Sequence, residues 1–125
     1  MGLILYTSGK NESSASLLQI VKNAVPDQAV ETYSSVDDLS ERLHESLLDV
    51  SVAVLCAANR SELIKIIDLG SLLDELRLVL VLPDGEPDMI GKAHLLRPRF
   101  IASSQSDFSH LGQVLKRMMD IYEKK

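Results

Sequence analysis

The chain has 125 residues, a formal net charge of −5 and an apolar fraction of 46% dominated by aliphatic side chains, with no Trp, two Phe and three Tyr. That length fits one domain, 1–125, with a single aliphatic core. The negative balance argues against broad nucleic-acid binding, the scarcity of aromatics against stacking platforms for bases or flavins, and the single cysteine against an intrachain disulfide.

The run Leu3-Ile4-Leu5-Tyr6 reads as a short strand buried on both faces, broken by Thr7-Ser8-Gly9-Lys10-Asn11. From about Ser14, Leu17, Leu18, Val21 and Val25 recur at helical spacing until Pro26-Asp27. Ala29 to Tyr33 is a more polar strand suited to a sheet edge. Ser35 and Asp38 have the spacing of a capping box ahead of a helix with Leu39, Leu43 and Leu47 on one stripe. Val50 to Leu55 reads as a central strand.

Asn59 and Glu62 repeat the capping pattern before Leu63-Ile64 and Ile66-Ile67, and Gly70-Ser71 either weakens the helix or lets it turn before Leu72, Leu73 and Leu76. Leu78 to Leu82 is a fourth strand, stopped by Pro83-Asp84-Gly85. Pro87 opens a helix through Met89, Ile90, Ala93 and Leu96, which Arg97-Pro98 closes because a residue before proline disfavours helical geometry. Arg99 to Ala102 is the fifth strand. A last helix spans Phe108 to Glu123, with Leu111, Leu115, Met118 and Tyr122 on one stripe and Val114, Met119 and Ile121 widening it.

Five short strands alternating with helices predict an α/β fold, a three-layer α/β/α sandwich around a parallel sheet with right-handed crossovers. Charge is unevenly spread. Asp27, Glu31, Asp37, Asp38, Glu41, Glu45 and Asp49 face only Arg42 in one stretch, whereas Lys92, Arg97, Arg99, Lys116, Arg117, Lys124 and Lys125 dominate the end. No apolar run reaches membrane-spanning length and no basic leader precedes the first strand, so a soluble cytoplasmic protein without membrane or nucleic-acid partners is expected.

The element order, the length and the run Asp49-Val50-Ser51-Val52-Ala53-Val54-Leu55-Cys56 resemble the receiver domain of bacterial response regulators, over nearly the whole chain. The resemblance implies sheet order 2-1-3-4-5, a flavodoxin-like arrangement. Receivers hold magnesium with an acidic pair after the first strand, accept phosphate on an aspartate after the third, and use a hydroxyl after the fourth and a lysine after the fifth. Aligned strand by strand, this chain has Thr7 and Ser8 at the acidic pair, Cys56 at the phosphoacceptor, Pro83 near the hydroxyl, and Ser103 or Ser104 near the lysine. A thiol is not a carboxylate, and neutral hydroxyls are poor sole ligands for magnesium. The chain thus resembles a pseudo-receiver that signals or assembles through protein contacts, as a homodimer or with another protein, with no metal and no cofactor.

Thr7 to Asn11 lies between a strand and a helix, where it is either a plain capping turn or an anion-binding loop faintly similar to the phosphate loop of flavodoxins. A small-molecule ligand there is the alternative reading. Cys56 is either a small buried apolar side chain or, with Arg60 and a helix amino end near in sequence, a reactive thiol. His44, His94 and His110 fall on different helices without metal-ligand spacing. Asp84 and Asp107 are loop acids of the kind that suit turns. In receivers the fourth helix, fifth strand and fifth helix often form a dimer face. Leu95, Arg97, Arg99, Met118, Met119 and Tyr122 are the residues here that either build such a face or finish the core.

Overall fold

A computed structural model describes residues 2–7, 12–24, 30–45, 50–57, 59–73, 76–82, 87–103 and 111–117. The strands are β1 (Gly2–Thr7), β2 (Val30–Tyr33), β3 (Val50–Cys56), β4 (Arg77–Leu82) and β5 (Phe100–Ser103), all parallel, in the order β2-β1-β3-β4-β5. The expected sheet order is the observed one. The helices are α1 (Glu12–Ala24), α2 (Val36–Leu43), α3 (Arg60–Asp68), the single turn α4 (Gly70–Leu73), α5 (Pro87–Ala93) and α6 (111–117), with a 3-10 turn at His94–Leu96.

The all-apolar inner strands follow from burial on both faces. Leu3 and Leu5 of β1 join Val52, Val54, Val79 and Val81 beneath Leu17 and Val21 of α1 and Leu111 and Leu115 of α6. Ile4 and Tyr6 point the other way and meet Ala53, Leu55, Leu78, Leu80 and Leu82 under Leu39 and Leu43 of α2, Leu63 and Ile66 of α3, Leu73 of α4 and Met89 and Ala93 of α5. A sheet covered on both sides leaves no solvent face, so the strands lose the polar alternation of a half-exposed sheet. Strand β2 is a half-exposed edge.

Both capping signals act as their residue types dictate. Ser35 Oγ accepts from the Asp38 amide at 3.1 Å and Asn59 Oδ1 from the Glu62 amide at 2.9 Å, each satisfying a first-turn donor that lacks an intrahelical partner. Helix α3 ends at Asp68, with Leu69 as its C-cap, and the chain turns into α4 at Gly70. Helix α1 begins at Glu12, two residues before the expected start, because apolar periodicity first registers at the buried Leu17, beyond the opening turn. Arg97 closes the 3-10 turn in the left-handed region, φ 52° and ψ 52°, rather than in the extended geometry usual before proline, and its amide bonds His94 O at 3.0 Å.

Candidate functional site

In an open parallel sheet, the carboxyl ends of adjacent strands are where loops converge and sites form. Here that edge brings Thr7 and Cys56 together. Thr7 closes β1 and is the register partner of Cys56, which closes β3, and Cys56 in turn lies opposite Val81 of β4. The next residue, Ala57, donates its amide to Val81 O at 2.9 Å and is also buried. Ser103 closes β5 opposite Leu82. Ser8, Gly9, Lys10, Asn11, Pro83, Asp84, Ser104 and Asp107 lie outside the described residues.

Cys56 is 8% exposed. Burial pushes its thiol up, hydrogen bonding with Thr7 acts in the opposite direction, and the nearby charge of Glu62 adds a smaller upward push. A buried thiol with an elevated pKa stays protonated at neutral pH and is a weak nucleophile. These surroundings favour the apolar reading of Cys56 over the reactive one.

Glu62 stands in the first turn of α3, where its carboxylate accepts from the Tyr6 hydroxyl at 3.0 Å. Tyr6 is 1% exposed, so this contact gives a buried phenol its polar partner. The sequence marked Glu62 only as a cap residue, because a contact between positions 56 apart leaves no local signal. On the same side of the sheet Arg60 of α3 bonds Asp88 of α5 across the two helices.

The chemistry on offer is narrow. Thr7 contributes a hydroxyl, Cys56 a protonated thiol and Glu62 a carboxylate already engaged by a phenol. A hard dication such as magnesium prefers carboxylate oxygens, and a hydroxyl beside a thiol does not fit it. Among the described residues no cluster of three or more His, Cys, Asp or Glu is placed to hold a metal ion. His44 and His94 lie on separate elements, while His110 is outside the described residues.

The proposed interface residues are only partly visible. Leu95 is 70% exposed in the 3-10 turn, and Arg97 and Arg99 are exposed beside it. The Arg99 amide bonds Leu78 O at 2.7 Å, fixing the entry into β5. Met118, Met119 and Tyr122 lie outside the described residues. In the described part of α6, Leu111 and Leu115 are buried and Val114 half-buried, so this segment spends its stripe on the core. Between α6 and the edge strand β5, Phe100, Gln113, Val114 and Arg117 line an open hollow of about 310 Å³. No described helix is long and apolar enough to cross a membrane.

No family model matches the chain, and no curated protein matches it. Solved structures do. A response regulator receiver protein from Pseudoalteromonas atlantica superposes with a TM-score of 0.76 at 9% identity, covering 98% of this chain and 99% of that one. A CheY-like receiver domain from Methanospirillum hungatei gives 0.75 at 12% identity, covering 99% and 98%. A candidate pilus assembly protein from Burkholderia thailandensis gives 0.70 at 22% identity, covering 96% and 99%. Across nearly its full length the chain therefore has the flavodoxin-like fold found in response-regulator receiver domains.

Proposed function

We infer that the chain is a pseudo-receiver: a regulatory module that signals through protein contacts, without phosphoryl transfer, and works as a homodimer in the cytoplasm. The observation that carries this reading is the pairing of Thr7 with a buried Cys56 at the tips of β1 and β3, where a receiver would need acids to bind magnesium and accept phosphate. The elevated thiol pKa speaks against Cys56 as a substitute nucleophile. The candidate pilus assembly protein is 22% identical, against 9% and 12% for the two receiver domains, which favours a role in protein assembly over a phosphorelay. Leu95, Arg97 and Arg99, with Met118, Met119 and Tyr122, are the proposed contact residues.

The test is incubation with acetyl phosphate and magnesium, followed by intact mass measurement. No phosphoryl increment is expected. Stoichiometric phosphorylation that hydroxylamine removes, as it removes an acyl phosphate, would overturn the reading. Light scattering across dilution tests the homodimer, with a concentration-dependent dimer expected and a monomer at every concentration counting against it.

A further inference from the structure

The two edges of the sheet carry opposite charge. At one edge, Arg42 reaches from α2 to Glu31 of β2 and is the only Lys or Arg in residues 30–45. Asp38 and Glu45, four residues before and three after Arg42, lie on the same side of the helix, and with Glu41 they are exposed. At the other edge, Arg97, Arg99 and Arg117 are exposed around β5, and residues 94–103 and 111–117 contain no Asp or Glu. Ile101 packs with the core cluster beneath α2 and α5, and Phe100 with the opposite one, so Arg99 falls on the α2 side of the sheet. The Arg99 amide bonds Leu78 O, so by alternation Phe100 and Ala102 turn their amides away from β4, toward the outer edge.

We propose that these two edges bind each other in successive copies of the chain, β2 of one copy adding to β5 of the next, head to tail. This rests on the self-association in the reading above and gives that contact a direction, the dimer being its first product. All strands are parallel, so a copy displaced sideways along the sheet brings its β2 alongside β5 in the same direction and with the same faces matched. Both strands have four residues. Helix α5 packs on β4 and α2 on β2, which puts α2 of the added copy two strand spacings, about 10 Å, from α5, an ordinary helix packing distance. Helix α2 runs back from the carboxyl end of β2, so Glu41 and Glu45 of the added copy come level with Arg97 and Arg99, which precede β5. Pairing two like edges sets charges of one sign across the seam, whereas the unlike pairing sets opposite ones. Such a contact is heterologous and leaves a free acidic edge and a free basic edge on every dimer, so longer chains follow at higher concentration.

The experiment is sedimentation velocity across dilution on the full chain, the Arg99→Glu variant, the Glu45→Lys variant and an equimolar mixture of the two. The parent chain is expected to form species larger than a dimer at high concentration, and added salt to disperse them. Each variant alone raises the dissociation constant roughly tenfold. The mixture recovers association, because one variant keeps the acidic edge and the other the basic edge. Ala102→Pro removes an outward amide at an edge position where proline is tolerated, and weakens association while far-UV circular dichroism stays unchanged. Association undiminished by that folded variant overturns the strand addition. A closed dimer that Glu45→Lys leaves intact, but that is lost on changing Met118 and Tyr122 to Glu, overturns the head-to-tail contact and leaves the homodimer reading standing. A chain that is monomeric at every concentration overturns both.

Discussion

The Tyr6 hydroxyl reaches Glu62 Oε1 at 3.0 Å, so a phenol on a core strand is joined to the first turn of a helix on the sheet's face. Tyr6→Phe keeps the ring and removes the donor. It is expected to lower unfolding free energy by about 1.5–3 kcal/mol, the range for a hydrogen bond to a charged acceptor. Urea unfolding with an unchanged slope and a lower midpoint would bear this out, and an unchanged midpoint would show that the contact contributes nothing. Tyr6→Ala also empties the ring volume, and a loss of about 3–5 kcal/mol is expected.

Glu31, Tyr33 and Arg42 form a second polar cluster, tying β2 to α2. Arg42 donates to both Glu31 oxygens at 2.7 and 3.1 Å, and Tyr33 donates to Glu31 Oε1 at 2.7 Å. The bond from Arg42 holds the Glu31 carboxyl below its usual 4.5, with burial opposing it. Burial and the bond to Glu31 push Tyr33 up to about 12 from 10.0. A depressed acid stabilises the fold above its unfolded pKa, and that contribution is lost as pH falls from about 4.5 through the lower folded value. The raised phenol acts at the other end, its contribution full below pH 10 and lost as pH climbs toward 12. Glu31→Gln should flatten the acid limb of a stability profile, and Tyr33→Phe the alkaline limb. Limbs of equal steepness in variant and parent would remove the cluster as their source.

Arg42→Met tests the cluster at neutral pH. With Arg42 largely buried and Glu31 about one-third exposed, the pair lies between surface and interior. A loss of about 1–3 kcal/mol is expected, between the extremes for surface and buried pairs. A larger loss than for Glu31→Gln would mean that the arginine stem also packs.

Cys56 offers a test of the strand tips. The native thiol should react with a disulfide reagent orders of magnitude more slowly than after unfolding in urea, because it is both covered and protonated. Cys56→Asp, which restores an acid at the receiver phosphoacceptor position, is expected to cost about 3 kcal/mol or more by placing a carboxylate in a buried site near Glu62. A folded, equally stable Cys56→Asp protein would mean that this edge tolerates the acid it lacks.

Two helical glycines should answer differently to alanine. At Gly91 the new methyl meets open space, and a gain of about 0.5–1 kcal/mol is expected from helix propensity. At Gly70 the methyl comes 3.2 Å from Leu96 Cδ2, so Leu96 must shift and most of the gain is offset. Thermal melts of the two variants, compared under conditions where the chain is monomeric, separate these outcomes.

How far the sequence could be read follows from the range of each interaction. Leu3 to Tyr6 and Leu78 to Leu82 announce themselves as strands because burial on both faces demands unbroken apolar runs. Ser35 and Asn59 are visible as caps because their bonding partners lie three residues away. The pairing of Thr7 with Cys56 was reachable only by aligning whole strands. The Tyr6 contact with Glu62 and the grip of Arg42 on Glu31 were not legible, since they arise when crossovers bring distant helices over the sheet. Arg97 adopts a left-handed conformation that its position before proline argues against, because the end of the 3-10 turn sets its backbone.

The order of the strands also dictates an order of events. Strand β1 lies between β2 and β3, yet β3 follows it by more than forty residues, so during synthesis β1 waits with one backbone edge unpaired and apolar side chains on both faces. Closing so long a loop before the central pairing forms slows folding and prolongs exposure of a sticky segment. The same arrangement that gives the finished domain its buried centre leaves the nascent chain with an unpaired apolar strand until Val50–Cys56 arrives.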